Sequence, residues 1–328
     1  MYINNKHLIK KKNLLAFSGG VDSTALFFIL LNNNISFDIA IIDYNIREQS
    51  KEEVSYAKEL ALKFNKQCYI KKIKISTSNF EKCARELRYK YFEEIITKHN
   101  YDNLITAHQL NDKLEWFLMQ FSKGAGLIEL KGLKEFNTKT NYNLIRPILN
   151  YSKKDLFNFL DKNNIKYFID QSNFDEKYKR NYFRKNFANK LLDEFSSGIK
   201  KSFSYLDMDI KSLDIRSIPK VKINKLEIFK SLNDDNKNIR IIDKSMKQRG
   251  YILSSNQRDE IIRQKEIIIN NICISIYNNH IWLCPNSSRI MDKEFKELCR
   301  INKIPKKNRA YIKEINTNIP YIINLLDT

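Results

Sequence analysis

Glycine and proline are scarce in this sequence, which has 7 and 5 of them among 328 residues. Collagen-like, mucin-like and broadly disordered chains are rich in such residues and poor in apolar ones, whereas 42% of the residues here are apolar. The composition therefore predicts a folded chain. Its length predicts two or three domains, at roughly 100–200 residues each.

Closely spaced cysteines are also missing. The five cysteines are Cys68, Cys83, Cys273, Cys284 and Cys299, and no two of them form a CxxC pair. Zinc sites and iron–sulfur clusters usually need such pairs, so neither is expected. An odd number of widely spaced cysteines is typical of structural thiols in a reducing, cytoplasmic environment.

No apolar run approaches the length of a membrane helix. The longest block, residues 25–31, is far shorter than the roughly 20 residues that a membrane span needs. The first residues are basic but lack the apolar stretch and the small residues of a secretory signal. We expect a cytoplasmic protein with no membrane partner.

Positive charge, by contrast, is abundant. Lysine and arginine number 58 against 38 acidic residues, which gives a net charge of +20. Clustered cations favour polyanions such as nucleic acid because binding releases counterions. The excess is +11 in residues 1–200 and +9 in residues 201–328. Because it is spread along the chain, charge by itself does not distinguish a nucleic-acid partner from a general bias toward lysine.

The first half of the chain alternates β-rich runs with amphipathic stretches, as in a doubly wound parallel α/β sheet. The predicted strands are residues 14–17, 37–43, 68–75 and 103–107. The predicted helices are residues 23–31, 51–64, 80–99 and 110–121. Ligands of such sheets bind at the carboxyl ends of the strands, so we expect the site there.

The second half has a different pattern. Ser196, Ser197 and Gly198 predict a hinge, which places a catalytic domain at residues 1–195 and a C-terminal region at 196–328. Residues 200–268 are predicted to be helical, with a break at Pro219. Two β-rich runs, 272–276 and 280–284, predict a hairpin within a small α+β part at 269–328.

Five of the seven glycines lie in two short regions, Gly19 and Gly20 and then Gly124, Gly126 and Gly132. Glycine is required where the backbone angle φ is positive or where a ligand comes close to the backbone. Both regions are therefore candidate functional sites, with ordinary tight turns as the alternative.

The first glycine pair lies between a predicted strand and a predicted helix. Its segment is Ser18, Gly19, Gly20, Val21, Asp22 and Ser23. In this setting backbone amides, the helix N-terminus and the serine hydroxyls favour a phosphate. The lysine of a Walker A loop is absent. Asp22 would repel a phosphate unless a cation such as Mg²⁺ lies between them, so the loop predicts a metal–nucleotide complex.

A second group of polar residues opens the helix predicted at 110–121. His108, Asp112 and Glu115 fall within one sector, opposite the apolar side, so we expect them to face away from the core. An ordinary amphipathic helix also has outward polar residues. Combined with the loop, however, Asp112 is predicted to complete the Mg²⁺ site with Asp22.

Two arginines, Arg85 and Arg88, lie on one edge of the helix predicted at 80–99. They are consistent with a solvated face, since Glu81 and Glu86 are near in sequence. They are equally consistent with a triphosphate site, because a guanidinium offers paired donors to phosphate oxygens.

The segment at 18–23 resembles the SGGxDS loop of the PP-loop ATP pyrophosphatases, which cleave ATP between the α and β phosphates while adenylating a carbonyl-type oxygen. Further segments resemble motifs of one family within that superfamily, in its order and spacing across residues 13–190. They are DYNIR at 43–47, ARELRY at 84–89, AHQLNDKLE at 107–115, IRPIL at 145–149, DQSN at 170–173, and Tyr178, Arg180, Asn181 and Arg184. That family is the tRNA(Ile)-lysidine synthetases.

The resemblance implies conversion of the wobble cytidine of a tRNA(Ile) with a CAU anticodon into lysidine, with ATP, Mg²⁺ and free L-lysine. The expected catalytic residues are Asp22, Asp112, Arg88 and His108. Residues 18–23 are expected to bind ATP, and Asp22 and Asp112 to bind the metal. Contacts to tRNA or nucleotide are expected from Glu115, Arg146, Arg180 and Arg184. The region 196–328 is expected to bind tRNA, and a homodimer stays open.

Three residues depart from the family pattern: Tyr44 and Gln109 stand where histidines are common, and Trp116 where threonine is usual. They bear on fine geometry more than on the reaction. The alternatives are a tRNA thiolase, which normally needs paired cysteines, and NAD or GMP synthetases, which do not need a basic C-terminal third. A non-catalytic RNA-binding protein is a further alternative, against which the intact Asp22 and Asp112 argue.

Overall fold

A six-stranded sheet organises the first half of the chain. The computed structural model describes residues 1–44, 49–73, 80–169, 179–212 and 218–327. The strands of this sheet lie in the order β3-β2-β1-β4-β6-β5, and all neighbours are parallel except β5 and β6. They are β1 (Asn13–Ala16), β2 (Asp38–Asp43), β3 (Cys68–Lys72), β4 (Asn103–Ile105), β5 (Phe136–Thr138) and β6 (Asn143–Ile145). The doubly wound parallel sheet predicted from the sequence is confirmed.

Helices cover both faces of this sheet. They are α1 (Val21–Asn32), α2 (Gln49–Lys63), α3 (Phe80–His99), α4 (Leu110–Phe121), α5 (Leu127–Lys131), α6 (Lys153–Lys162), α7 (Lys179–Phe183) and α8 (Asn189–Ser212), with a π-helical segment, Arg184–Ala188, between the last two. Leu14 packs with α3 on one face, whereas the next residue, Leu15, packs with α1 and α2 on the other. Because successive side chains of a strand point to opposite faces, a continuous apolar run is what a sheet covered on both sides requires.

The first compact unit spans Met1–Ser212, and the second spans Leu213–Thr328. The sequence places the end of the catalytic domain at residue 195, but α8 continues through the expected hinge at 196–198, with only Phe195 departing from helical backbone angles. Phe203 explains this extension, because it is buried against Leu110 and Leu114 of α4. The later turns of α8 therefore belong to the first unit.

The second unit is built on an antiparallel sheet with strand order β7-β8-β11-β10-β9. Its strands are β7 (Val221–Ile223), β8 (Leu226–Lys230), β9 (Glu266–Ile269), β10 (Ile272–Tyr277) and β11 (His280–Pro285). Its helices are α9 (Asp235–Gln248), α10 (Ser255–Gln264), α11 (Lys293–Ile301), α12 (Arg309–Glu314) and α13 (Ile319–Asp327). Helices α9 and α10 pack on one face of the sheet and α11–α13 on the other.

The predicted hairpin at 272–284 is confirmed as β10 and β11, joined through Asn278 and Asn279, both with positive φ. The helical prediction for 200–268 holds for α8, α9 and α10 but is wrong at Glu266, where β9 begins, and for residues 221–230. These form β7 and β8, which turn at Asn224 with φ of 51°. Ile228 and Phe229 are buried on opposite faces of the sheet, so this strand lacks the polar alternation that identifies an exposed one.

None of the helices in the described part of the chain is long and apolar enough to cross a membrane. The motif residues 45–47, 170–173 and 178, and residues 74–75 of the third predicted strand, lie outside the described residues.

Candidate active site

One cavity of about 700 Å³ opens at the carboxyl ends of β1 and β4 in the first unit. Its wall includes the loop after β1, the start of α4, and six cationic side chains. The cations are Arg85, Arg88, Lys153, Arg180, Arg184 and Lys185. Asp22 and Asp112 are the acidic side chains of the wall among the described residues. The residue types predicted to bind a metal–nucleotide complex thus line one cavity.

The loop at 18–23 has the geometry of an anion-binding turn. Gly19 has φ of +76°, which favours glycine, and an added Cβ there would lie 3.4 Å from Glu53 and Phe168. The Gly19 carbonyl accepts hydrogen bonds from the Phe168 amide at 3.0 Å and the Thr24 hydroxyl at 3.1 Å. Gly20 is the N-cap of α1 and has no side chain to cap the first-turn amides. These amides can therefore bind an anion.

The two loop serines bond to each other, since Ser18 Oγ lies 3.0 Å from Ser23 Oγ. Ser23 Oγ also donates to the Gly20 carbonyl at 3.2 Å and accepts from the Ser18 amide at 3.2 Å. This local network joins the two ends of the loop. The loop is consequently shaped before any phosphate arrives, which lowers the ordering cost of binding.

Asp22 is the acidic residue of the loop, and its carboxylate is buried. Its Oδ1 atom is buried and has no hydrogen-bond partner among the described residues. Burial, together with the nearby charge of Asp112, raises the pKa of Asp22 to about 6, while Lys153 and Arg184 oppose the rise. A buried carboxylate oxygen without a partner is a suitable ligand for a hard cation.

Asp112 and Glu115 form a buried ion-pair network with two arginines. Arg180 donates to Asp112 Oδ1 at 2.6 Å and to Glu115 Oε1 at 2.8 Å. Arg184 donates to Glu115 Oε2 at 2.9 Å and lies 3.4 Å from Asp112 Oδ1. Asp112 Oδ2 accepts from the Gln109 amide at 3.0 Å, which caps α4. The network ties α4 to α7 and to the π-helical segment.

The expectation that His108, Asp112 and Glu115 face outward is corrected for the two carboxylates by this network, whereas His108 lines the cavity. Glu115 is 1% exposed and Asp112 8%, because the arginines after residue 179 cover them. Burial would raise the pKa of Asp112, but Arg180, His108 and Arg184 hold it below its ordinary value. Burial raises the pKa of Glu115 even though both arginines oppose the rise. His108 and Asp112 thus line the cavity, and Glu115 lies behind the wall with its carboxylate bonded to the two arginines.

His108 lines the cavity with Nδ1 2.9 Å from the Thr106 hydroxyl. Burial lowers the pKa of His108 to about 4, with Asp112 opposing and Arg146 adding to the decrease. The imidazole is therefore neutral near pH 7 and offers a hydrogen bond without a charge.

Arg88 and Arg85 both line the cavity, as the triphosphate interpretation requires. Arg88 Nε donates to the Tyr44 hydroxyl at 3.1 Å, and that hydroxyl donates to the Ala84 carbonyl at 3.3 Å. Arg85 instead lies over the Tyr89 ring, 5.2 Å from its centroid. Arg88 is the more firmly oriented of the two.

Arg146 does not line the cavity in the part of the chain that the structure describes. It is buried behind the wall, where Nη1 donates to the Lys134 carbonyl at 2.8 Å. Its charge still reaches the site, because it lowers the pKa of His108 together with Arg180 and Arg85.

The three departures from the family pattern each have a structural contact. Tyr44 orients Arg88, Gln109 caps α4 through the Asn111 amide, and Trp116 Nε1 donates to the Glu129 carbonyl at 2.9 Å. Trp116 also explains Gly132, where an added Cβ would lie 2.0 Å from the indole ring. The second glycine region thus serves packing at this position and contributes no residue to the described cavity wall.

Several wall residues were missed by the sequence analysis, including Lys153, Phe157, Phe168 and Lys185. Lys153 opens α6 just after the IRPIL segment. The signal that marks its position is the capping box of Ser152 and Asp155, with bonds of 3.1 and 2.8 Å. The cavity wall contains no cysteine among the described residues.

The raised pKa of Asp22 predicts that Asp22→Asn increases stability at neutral pH. Above about pH 6 the native state carries a buried charge that the unfolded chain solvates, and asparagine removes this penalty. The gain is expected to be at most about 3 kcal/mol at pH 8, to decrease below about pH 6, and to become small near pH 4, where native Asp22 is protonated and the unfolded carboxyl is about half protonated. Thermal unfolding of both proteins from pH 4 to 8 checks this. A gain that is independent of pH would contradict it.

Comparisons with known proteins agree with this geometry. Residues 2–191 match the PP-loop domain family. The chain is 45% identical to a tRNA(Ile)-lysidine synthase of Campylobacter jejuni (strain RM1221), over 93% of this chain and 94% of that protein. It is 41% identical to the tRNA(Ile)-lysidine synthase of Helicobacter pylori (strain ATCC 700392 / 26695), over 92% and 89%.

A solved structure shares the fold. The U34-tRNA thiolase NcsA of Methanococcus maripaludis superposes with a TM-score of 0.51 at 16% identity, covering 62% of this chain and 73% of that one. The loop at 18–23 and the carboxylates beside it agree with the matches along nearly the whole chain. The chain belongs to the tRNA(Ile)-lysidine synthase family and carries its PP-loop domain.

Proposed function

We propose that this chain ligates L-lysine to C2 of the wobble cytidine of a tRNA(Ile) with a CAU anticodon, while ATP is cleaved to AMP and pyrophosphate. The observation that carries the proposal is the cavity lined by the loop at 18–23, by six cations and by Asp22, whose buried Oδ1 has no hydrogen-bond partner among the described residues. The similarity to curated synthases over 93% of the chain supports the same substrate. ATP, lysine and tRNA meet in the cytoplasm, so we infer that the enzyme acts there.

The reaction needs two steps because the C2 oxygen of cytosine is a poor leaving group. In the first, this oxygen attacks the α-phosphorus of ATP, the bond to the β-phosphate breaks, and pyrophosphate leaves. In the second, the ε-amine of lysine attacks C2, AMP leaves with the former C2 oxygen, and the amine loses a proton. Such transfers depend chiefly on positioning and on stabilising negative charge.

Asp22 and Asp112 are the residues that we propose to hold Mg²⁺. The buried Asp22 Oδ1 has no other partner among the described residues, and Asp112 is close enough to raise its pKa. Magnesium is commonly bound by one or two carboxylates together with substrate phosphates. When bound, it would neutralise charge on the phosphate oxygens.

The remaining residues have roles that follow from their position. The amides at 18–23 bind the pyrophosphate part of ATP, and Arg88 contacts the α-phosphate region with His108, which donates a hydrogen bond as a neutral group. We propose that Arg180 and Arg184 contact nucleotide or tRNA from the cavity wall. Glu115 fixes their orientation through its two short bonds. Arg146 adds positive charge from behind the wall.

The proposal is tested by measuring pyrophosphate release from ATP by the purified protein. Release is expected only when both the CAU tRNA and lysine are present, with lysidine found at the wobble position. A thiolase would require a sulfur donor and not lysine. A non-catalytic RNA-binding protein would bind tRNA without releasing pyrophosphate.

Arg88→Ala is expected to slow adenylation by about 100-fold, whereas Arg85→Ala slows it less than about tenfold. The reason is that Tyr44 orients Arg88, so its charge is already placed when the α-phosphate becomes more negative. Single-turnover formation of adenylated tRNA measures the difference. If both variants lost the same small part of the adenylation rate, Arg88 and Arg85 would be ordinary residues of a solvated helix face.

A further inference from the structure

Lys153 stands out among the cavity cations because it belongs to none of the family motifs matched above. It is the first residue of α6, it is partly buried, and it lines the cavity together with the loop at 18–23. Its positive charge acts on Asp22, whose ionised form it favours. The ammonium group therefore lies near Asp22 on the wall of the same cavity.

The start of α6 is fixed in place by several bonds. The Lys153 amide donates to Asn111 Oδ1 at 3.0 Å, and Asn111 Nδ2 donates to Asn189 Oδ1 at 2.8 Å. The Leu110 amide donates to the Tyr151 carbonyl at 2.9 Å. These bonds tie α6 to the starts of α4 and α8, so the Lys153 backbone has a defined position relative to Asp112 on α4. None of them uses the Lys153 side chain, so a different side chain at 153 would leave them intact.

The charge of Lys153 is available to a ligand. Arg180 and Arg184 are engaged with Asp112 and Glu115, whereas the ion pairs within the described ranges do not include Lys153. Its Nζ lies 5.8 Å from the centre of the Phe157 ring, on an apolar surface that limits its hydration. An ammonium group beside an apolar wall interacts strongly with an anion that displaces its remaining water.

The loop itself has no cationic side chain that could stabilise the phosphates of ATP. It lacks the lysine of a Walker A loop, and its own charged residue, Asp22, is negative. As the bond between the α and β phosphates breaks, negative charge grows on the departing pyrophosphate, and some positive group must stabilise it. We propose that Lys153 binds the β and γ phosphates of ATP and the pyrophosphate leaving group, supplying from α6 the lysine that the loop lacks. This inference rests on the proposed ATP-dependent reaction.

The test compares Lys153→Met with Lys153→Arg and with Lys154→Met, a control on the exposed neighbour in the same helix turn. Affinities for ATP, pyrophosphate and AMP are measured by calorimetry with Mg²⁺ and without tRNA. Lys153→Met is expected to weaken ATP and pyrophosphate about 10-fold to 100-fold and to change AMP less than about twofold, since AMP lacks the β and γ phosphates. Lys153→Arg should restore most of the affinity, and Lys154→Met should match the wild type.

An equal loss of affinity for AMP and ATP, or no loss for either, would overturn the assignment. Lys153→Gln is measured in parallel, so that a folding failure of the methionine variant leaves the comparison intact. Failure of the proposed function looks different. In that case the wild-type protein would release no pyrophosphate in response to tRNA and lysine, whatever the ATP and AMP affinities of the variants.

Discussion

Asp22→Asn is expected to abolish tRNA- and lysine-dependent pyrophosphate release while leaving tRNA affinity nearly unchanged. The carboxylate has a buried oxygen without a partner among the described residues, and it lies in the loop that we propose to bind phosphate. Asparagine keeps the shape but removes the charge that a metal ligand needs. The loss of one Mg²⁺ ligand is expected to cost several kcal/mol of transition-state stabilisation, which corresponds to a rate loss of at least about 100-fold.

Steady-state pyrophosphate release and filter binding of labelled tRNA measure the two effects separately. Asp193→Asn is the matched control, because Asp193 is an exposed carboxylate on α8 of the same unit and does not line the cavity. It should behave as the wild type in both assays. If Asp22→Asn kept more than about a tenth of the wild-type rate, the metal role of Asp22 would have to be abandoned.

Much of the first unit could be predicted because its local signals agree with its tertiary environment. The predicted bounds of α3 and α4 match those in the structure. The predicted first, second and fourth strands begin and end within two residues of β1, β2 and β4, and the third begins at the same residue as β3. Buried parallel strands have continuous apolar runs, and the helices between them are long and amphipathic. Gly19 and Gly20 also marked the tight turn between β1 and α1, where Gly19 has φ of +76°.

The wrong predictions have a common cause: local sequence patterns do not show contacts between residues that are far apart in the chain. Residues 221–230 looked helical because the strand β8 is buried on both faces and lacks alternation. Asp112 and Glu115 looked exposed because their partners, Arg180 and Arg184, are more than sixty positions away. The capping box of Ser152 and Asp155 marks where α6 begins, but the place of Lys153 beside the loop is set by contacts with Asn111 and Leu110 that the local sequence does not show.

Removing residues 213–328 is expected to weaken tRNA binding by about 100-fold or more while ATP binding is retained. These residues hold 22 basic and 13 acidic side chains, yet the cavity lies within Met1–Ser212. We propose that this unit grips the A-form body of the tRNA, whose identity must be sensed away from the anticodon. The shortened chain should end at Ser212, because ending it near residue 200 would remove Phe203 from its packing against α4.

Within the second unit, Lys303, Lys306 and Lys307 are the cations that we expect to contact phosphates. All three are exposed, and the short 3₁₀ turn that carries the last two is held by the buried Asn308. The Ser275 hydroxyl lies 2.6 Å from Asn308 Oδ1, and Asn308 Nδ2 donates to Cys284 Sγ at 3.1 Å. Arg309, predicted for the same cluster, donates Nε to the Ile304 carbonyl and so serves the fold as well.

Replacing these three lysines by alanine should reproduce part of the truncation effect without removing any folded structure. Each lost phosphate contact is expected to lower the slope of log affinity against log salt by roughly one. A control that replaces Lys230, Lys244 and Lys293 removes the same charge from other exposed positions of the unit and should change the slope little.

If the shortened chain bound tRNA as tightly as the full chain, with the same salt slope, the second unit would have to serve another purpose. Dimerisation would then be the first to examine, by comparing the masses of both chains in solution.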